Sequence, residues 1–314
     1  MSHDGGKSRL AHAGDREQEA LTISVGVVDR RGAALSEGAD ETVEKGSGLW
    51  DRRPAPGERV RLTEWLEQQA ADSVMRQVAL RSLALLDLRP GMRVLEVGCG
   101  TGVFLPLLAG AVAPDGRVTG IDHSAAFLEE ARQRVVTTGF ASPVTLQEAD
   151  AYHLPFADAS FDAAHVEHVL EHLEDPDVVL REMRRVVRPD GWIVAGEPYL
   201  LGNEFDHPDP EGLHLVLAHG FRRFRSPRIG LELNRRMAQA GLVDRKVEVF
   251  TRVAMELDPE NAKVFADIAA EAVTEGLLTR DRADALVQQF HVASQGGYFT
   301  SYSPFFLVAG RVAP

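Results

Sequence analysis

The chain has 314 residues, of which 44% are hydrophobic, and a formal net charge of −13 at pH 7. This length and apolar content allow one large or two small globular domains, whereas the acidic balance argues against nucleic acid as the main partner. The single cysteine excludes an intramolecular disulfide. No apolar run approaches the about 20 residues of a membrane span, and no signal peptide is visible, so we expect a cytoplasmic protein without a membrane partner.

Residues 1–47 are expected to form a mobile or weakly ordered extension. Their first 20 positions are polar, charged and rich in glycine, so they bury little surface. The run Leu21 to Val28 has strand character, but the sequence specifies no pairing partner for it. After the break at Pro54 to Gly57, residues 61–88 carry apolar side chains at helical spacing, which predicts one or two helices.

The run Val94 to Gly102 has the sequence VLEVGCGTG, which predicts a buried strand that turns on three glycines into a helix near Val103. Glycine at alternate positions lets the backbone approach a ligand that any Cβ would block, and the first N–H groups of the helix point at that ligand. Cys99 is expected to pack inside this turn. The run indicates a nucleotide-type cofactor site, with a nicotinamide-binding enzyme as the alternative.

The second strand is predicted at Arg117 to Asp122 and ends in an acid. Ser124 follows as the N-cap of an amphipathic helix over residues 125–138. A carboxylate at the tip of this strand can accept hydrogen bonds from both hydroxyls of a ribose. Asp122 also lies about 20 residues beyond the glycine turn, a spacing typical of dinucleotide-binding folds.

The next two strands also end in polar residues. A third element over residues 144–150 ends in Asp150 and is followed by Ala151, and a fourth strand, Phe161 to Glu167, leads into His168. A helix over 178–187, a turn over 188–191 and a strand over 192–196 complete a series of βαβ units.

Two helical inserts interrupt the rest of the chain, at about 199–228 and 256–300. The predicted elements here are helices over 211–219, 229–240, 259–275 and 280–290, and strands over 244–254 and 302–312. In open α/β sheets the ligand lies beyond the carboxyl ends of the strands, where loops are free to vary. We therefore expect the inserts to cap the acceptor site.

This order of elements resembles the class I S-adenosylmethionine-dependent methyltransferases, of the small-molecule type found in bacterial secondary metabolism and quinone biosynthesis. The resemblance extends from about residue 76 to residue 314. It implies an α/β fold, namely a doubly wound, Rossmann-like, seven-stranded and mostly parallel sheet with an antiparallel last strand, a helical N-terminal lid and helical inserts near the C-terminus. The lid would span residues 48–90 and the methyltransferase domain residues 91–314.

The resemblance also implies S-adenosyl-L-methionine as the cofactor and S-adenosyl-L-homocysteine as its product. In this family Glu96 would hold the methionine amino group, Asp122 the ribose, and Asp150 with Ala151 the adenine. The cofactor-binding residues that the family pattern assigns are Glu96, Gly98, Cys99, Gly100, Thr101, Gly102, Asp122, His123, Asp150, Ala151 and Glu167.

Methyl transfer requires an acceptor atom aligned with the methyl carbon, and it needs a base only when the acceptor must lose a proton. The candidate catalytic residues are Glu167, His168, Tyr199 and His207. No metal is expected, because the adjacent acid and histidine at positions 171 and 172 do not share a helix face.

The expected acceptor is a small, largely apolar, aromatic or indole-like molecule in a pocket walled by Trp65, Tyr199 and Phe205. Two other functions stay open, a non-catalytic protein that binds S-adenosylmethionine or S-adenosylhomocysteine, and a cyclase or decarboxylase on the same fold. We expect a monomer or a homodimer.

Overall fold

The computed structural model describes residues 67–68, 72–140 and 142–314. The expectations for residues 1–47, for most of the lid and for Trp65 lie outside the described residues. Among those described, no helix combines the length and apolarity that crossing a bilayer requires.

One sheet contains every described strand. Its strands are β1 Arg93–Val97, β2 Arg117–Asp122, β3 Val144–Glu148, β4 Phe161–Glu167, β5 Val187–Pro198, β6 Glu204–Phe205, β7 Leu242–Ala254 and β8 Ser301–Val312. Strands β1 to β5 run parallel in the order β3-β2-β1-β4-β5, and β8 lies antiparallel between β5 and β7. The predicted fold class is confirmed.

Two details of the sheet differ from the prediction. The two-residue strand β6 pairs with the start of β8 and makes eight strands rather than seven, and so short a strand has no sequence signal. The predicted turn over 188–191 instead belongs to an irregular start of β5, where Phe161 pairs with Val187 and Ala163 pairs with Trp192. Asp190, in this irregular segment, has a left-handed backbone conformation with a φ of 64°.

Helices cover both faces of the sheet. They are α1 Ser73–Leu86, α2 Leu105–Val112, α3 Ala125–Thr138, α4 Pro176–Val186, α5 Pro210–Phe221, α6 Ile229–Gln239, α7 Pro259–Thr274 and α8 Arg280–Gln295. Apolar side chains of α1, α2 and α3 pack on one face, and those of α4 and α6 pack on the other. This layering buries both faces of the parallel strands and leaves their carboxyl ends open to a ligand.

Helix α1 begins at its N-cap Asp72, whose side chain accepts hydrogen bonds from the N–H groups of Val74 and Met75, each at 3.0 Å. Val78 and Leu86 bury one face of the helix in the core. This part of the expected lid therefore belongs to the layer of helices on the sheet.

The helices of the inserts build a second apolar core. Helices α5, α7 and α8 enclose Phe265 and Phe290, whose rings meet edge to face at 4.7 Å between centroids. The helices predicted in both inserts are present, with ends that differ by a few residues.

Candidate active site

The turn after β1 depends on its glycines. Gly98, Gly100 and Gly102 have φ values of 69°, 52° and 79°, a region that other residues avoid. A Cβ on Gly98 would lie 2.3 Å from Cγ2 of Val169, and one on Gly102 would lie 3.0 Å from Leu105. The turn continues past Gly102, so α2 begins at Leu105 and later than predicted.

Cys99 lies inside this turn and packs against Gly120, where an added Cβ would lie 3.0 Å from the Cys99 sulfur. The Cys99 N–H donates to the carbonyl of Ile121 at 2.8 Å. Burial raises the pKa of the Cys99 thiol, and the charges of Asp122 and Glu96 raise it further. The thiol therefore stays protonated and uncharged at neutral pH, which suits a side chain that packs in a buried turn.

Asp122 lies at the end of β2 and is 7% exposed. Its Oδ2 accepts a hydrogen bond from the N–H of Gly100 at 2.9 Å, and its Oδ1 accepts one from the N–H of Ser124 at 2.8 Å. Burial raises the pKa of Asp122, while these hydrogen bonds oppose the rise. A third backbone N–H, that of His123, also donates to this carboxylate, so backbone groups hold Asp122 in place at the end of the strand.

A cavity of about 300 Å³ lies beyond the ends of β2, β3 and β4. The predicted site residues on its wall are Gly98, Gly100, Asp122, His123, Asp150, Ala151, Glu167 and His168. Asp150 also shapes the loop after β3, because its Oδ1 accepts a hydrogen bond from the N–H of Tyr152 at 2.8 Å.

A second cavity, of about 410 Å³, lies on the other side of the glycine turn. Glu96, Cys99, Thr101 and Phe104 line it, together with Met75, Arg76, Ala79 and Leu80 of α1. Gly98, Gly100, Glu167 and His168 line both cavities and so mark the place where they meet. Gly102 lines neither cavity, and a Cβ added to it would lie 3.0 Å from Leu105 and 3.1 Å from Ala131. Its contact with the cofactor stays a prediction.

The tip of β4 has an unusual backbone. His168 has a φ of 55°, its N–H donates to the carbonyl of Gly196 at 3.0 Å, and its Nδ1 lies 3.2 Å from Oε1 of Glu171. Glu167 precedes it, and burial raises the pKa of the Glu167 carboxyl. A left-handed non-glycine residue is costly, so the hydrogen bonds around His168 must hold it in place.

The sequence reasoning missed the roles of two buried acids near His168, which are Glu171 and Glu197. The side chain of Glu197 on β5 accepts hydrogen bonds from the N–H groups of Val169, Leu170 and Glu171, at 3.0, 2.8 and 3.3 Å. These bonds fix the short turn that places Glu171 beside His168. The spacing of three residues between His168 and Glu171 was the available signal.

Glu171 also lies near His172, whose Nε2 is 3.5 Å from Oε1 of Glu171. Within the described part of the chain no group of three side chains is arranged to hold a metal ion. Glu171 instead lies where its carboxylate can orient the imidazole rings of His168 and His172.

The third missed residue is His165, which is fully buried in the middle of β4. Its Nδ1 lies 2.9 and 3.1 Å from the two carboxylate oxygens of Glu96, and its ring stacks on Phe104 with 4.4 Å between centroids. Burial alone would lower the pKa of His165, but the carboxylates of Glu96 and Glu167 raise it above its ordinary value.

Two candidate catalytic residues do not line either of these cavities. His207 is buried in the insert core, where its Nε2 donates to the carbonyl of Leu286 at 3.2 Å and its Nδ1 accepts from the N–H of Asp209 at 3.0 Å. Tyr199 packs beside Phe306 and under Arg228. The role of these two side chains as bases stays a prediction.

Phe205, which was predicted to wall the acceptor pocket, packs with the insert core. Phe205 contacts Phe290 and Phe299 inside the insert core, with ring centroids 5.3 and 6.3 Å away. Its ring therefore stabilises the insert and does not face the site.

Known proteins are similar to this chain in sequence and in fold. Residues 95–195 match the family model described as a methyltransferase domain. The chain is 36% identical to demethylmenaquinone methyltransferase of Desulfitobacterium hafniense over 115 residues, which are 37% of this chain and 46% of that protein. It is 32% identical to 27-O-demethylrifamycin SV methyltransferase of Amycolatopsis mediterranei over 180 residues, which are 57% of this chain and 61% of that protein.

The chain thus spans between 46% and 61% of the length of these relatives. Its fold is similar to that of the YcgJ protein of Bacillus subtilis, with a TM-score of 0.52, 20% identity, and coverage of 74% of this chain and 99% of that one. The match to a methyltransferase-domain family supports the prediction of S-adenosylmethionine as the cofactor. Over residues 95–195 the chain thus matches the methyltransferase-domain family, as its sequence pattern predicts.

Proposed function

We propose that this protein transfers a methyl group from S-adenosylmethionine to a small, largely apolar aromatic acceptor that bears an ionisable O–H or N–H group. The observation that carries the proposal is the meeting of two cavities at Glu167 and His168. One cavity contains the ribose and adenine candidates Asp122 and Asp150, and the other contains the buried acid Glu96.

The charges of the site fit the cofactor. In our proposal the methionine end of the cofactor lies in the larger cavity, where Glu96 would pair with its amino group. Asp122, on the wall of the smaller cavity, would accept hydrogen bonds from the ribose hydroxyls. The glycine turn between them leaves room for a ligand to pass. When bound, S-adenosylmethionine supplies an electrophilic methyl group on a sulfonium.

The acceptor is proposed to occupy the part of the smaller cavity near Tyr152, Val169 and Leu173. These apolar walls suit a flat ring, and the size of the cavity suits a small molecule. The names of the two relatives, which act on demethylmenaquinone and on a demethylrifamycin, support an acceptor of this class.

His168 is our candidate for the base. A carboxylate beside Nδ1 of an imidazole fixes the ring and stabilises the imidazolium that forms when the other nitrogen takes a proton, and Glu171 lies at that position. Glu167, at the junction of the cavities, is the alternative base.

The test is calorimetric titration of the purified protein with S-adenosylmethionine and S-adenosylhomocysteine, followed by incubation with phenols, hydroquinones and indoles. We expect micromolar binding of both ligands and a product heavier by one CH₂ group. Failure of both ligands to bind contradicts the proposal. Tight binding without transfer to any acceptor supports the non-catalytic binder, and a converted substrate of unchanged mass supports a cyclase.

A further inference from the structure

Three polar side chains form a line through the apolar centre of the sheet. Glu96 and His165 are register partners on β1 and β4, and Glu167 follows two residues later on the same face of β4. The Nδ1 of His165 lies 2.9 Å from Oε2 of Glu96, and its Nε2 lies 3.9 Å from Oε2 of Glu167. The strand residues next to them, Leu95, Val97, Ala164 and Val166, are buried and apolar and point to the opposite face of the sheet.

A buried imidazole is costly unless its nitrogens have partners. Nδ1 of His165 is satisfied by Glu96. Among the described residues, Nε2 of His165 and Oε2 of Glu167 have no hydrogen-bond partner, although each is buried and they face each other. A hydrogen bond between them needs a shortening of about 1 Å, and such contacts often tighten when a ligand binds.

Glu96 lies on the wall of the larger cavity, whereas His165 lines neither cavity. Any effect of His165 on a ligand must therefore pass through the carboxylates that it contacts. Its Nδ1 lies within hydrogen-bond distance of both oxygens of Glu96, and Phe104 stacks on the ring from the glycine turn. The ring thus fixes the direction in which the Glu96 carboxylate faces the cavity.

We propose that His165 is a positioning residue that orients Glu96 to bind the amino group of the cofactor, and so determines how strongly the protein prefers the complete cofactor over its truncated forms. This inference rests on the proposed function. It assigns a recognition role to a histidine in the centre of the sheet.

The test compares two ligands that share the adenosine part. S-adenosylhomocysteine carries the amino acid, whereas 5′-methylthioadenosine lacks it. In calorimetric titrations we expect His165→Leu to lose at least tenfold in affinity for S-adenosylhomocysteine and to stay within twofold of the wild type for 5′-methylthioadenosine. Equal losses for both ligands would indicate a purely structural role and overturn the inference, as would unchanged affinity for both.

Two milder variants keep the inference testable if His165→Leu does not fold. The amide nitrogen of His165→Asn comes near the position of Nδ1 and retains a donor for Glu96, whereas that of His165→Gln lies nearer the position of Nε2. We expect the Asn variant to bind S-adenosylhomocysteine more tightly than the Gln variant does. Equal or reversed affinities would contradict the role of Nδ1.

His219→Leu is the matched control. His219 is another buried histidine near carboxylates, Glu271 and Glu275, but it lies on α5 in the insert. We expect this variant to bind both ligands as the wild type does. If the wild type binds neither ligand, the proposed function fails, whereas wild-type binding with equal losses in His165→Leu contradicts only the inference about His165.

Discussion

Oδ2 of Asp122 accepts a hydrogen bond from the N–H of Gly100 at 2.9 Å, so one carboxylate joins the end of β2 to the glycine turn that follows β1. The same carboxylate lies on the cavity wall. Asp122 therefore shapes the turn and also presents a charge to the ligand.

Replacing Asp122 with alanine is expected to weaken S-adenosylmethionine binding by about 1–3 kcal/mol, through the lost charge-assisted hydrogen bonds. Calorimetric titration measures the change. Asp284→Ala, which removes an exposed acid on α8, is the control. Unchanged affinity in a folded Asp122→Ala protein would rule out the ribose assignment.

Gly98→Ala is expected to destabilise the fold by more than the about 1–2 kcal/mol that a left-handed alanine costs, because its Cβ would also clash with Val169. Gly139→Ala is the matched control, since Gly139 has a similar φ of 65° but nothing within 4 Å of an added Cβ. Urea denaturation compares the two free energies of unfolding. Equal losses would show that the contact with Val169 is unimportant.

Glu171→Gln is expected to lower kcat for an ionisable acceptor by about 10–100-fold, because the amide cannot stabilise an imidazolium at His168 as a carboxylate does. S-adenosylhomocysteine affinity, measured by calorimetry, should stay the same. Glu174→Gln, at a neighbouring exposed acid, should leave kcat unchanged. A wild-type kcat in Glu171→Gln would remove this acid from the mechanism.

Glu197 predicts a pH dependence of stability. Burial raises the pKa of Glu197 well above 4.5, and the nearby charge of Glu171 raises it further. A group whose pKa is higher in the folded than in the unfolded protein stabilises the fold fully below its unfolded-state pKa. This contribution to the free energy of unfolding is lost as the pH rises through its folded-state pKa. From pH 5 to pH 8 the free energy of unfolding of the wild type should therefore fall relative to that of Glu197→Gln.

Urea denaturation at several pH values measures this difference, and the groups common to both proteins cancel in it. Curves that stay parallel across the pH range would show that Glu197 keeps an ordinary pKa in the folded protein.

The parts of the site that were predictable lie close together in the chain. The three glycines of the β1 turn and the acid at the end of β2 each stand in a local pattern, because a turn or strand end constrains its own residues. The alternation of predicted strands and helices along the chain then predicted a mostly parallel sheet.

The contacts that were missed join distant residues. His165 and Glu96 are 69 positions apart, and Glu197 bonds to a turn 26 to 28 positions before it. Only the pairing of β1 with β4 and of β4 with β5 brings them together. The sequence also could not indicate the hydrogen bonds of His207 to Leu286 and Asp209, because the bond to Leu286 joins residues 79 positions apart.

The place of β8 between β5 and β7 has a consequence for how the chain folds. Trp192 pairs with Arg311 across more than a hundred residues, and β7 pairs only with β8. Until β8 takes its place, β5 and β7 each have an unpaired edge on the side where β8 will lie. The sheet therefore stays incomplete until β8 has been synthesised and has left the ribosome. The five parallel strands with the glycine turn leave the ribosome earlier, so we expect the cofactor half to be ordered before the sheet is complete.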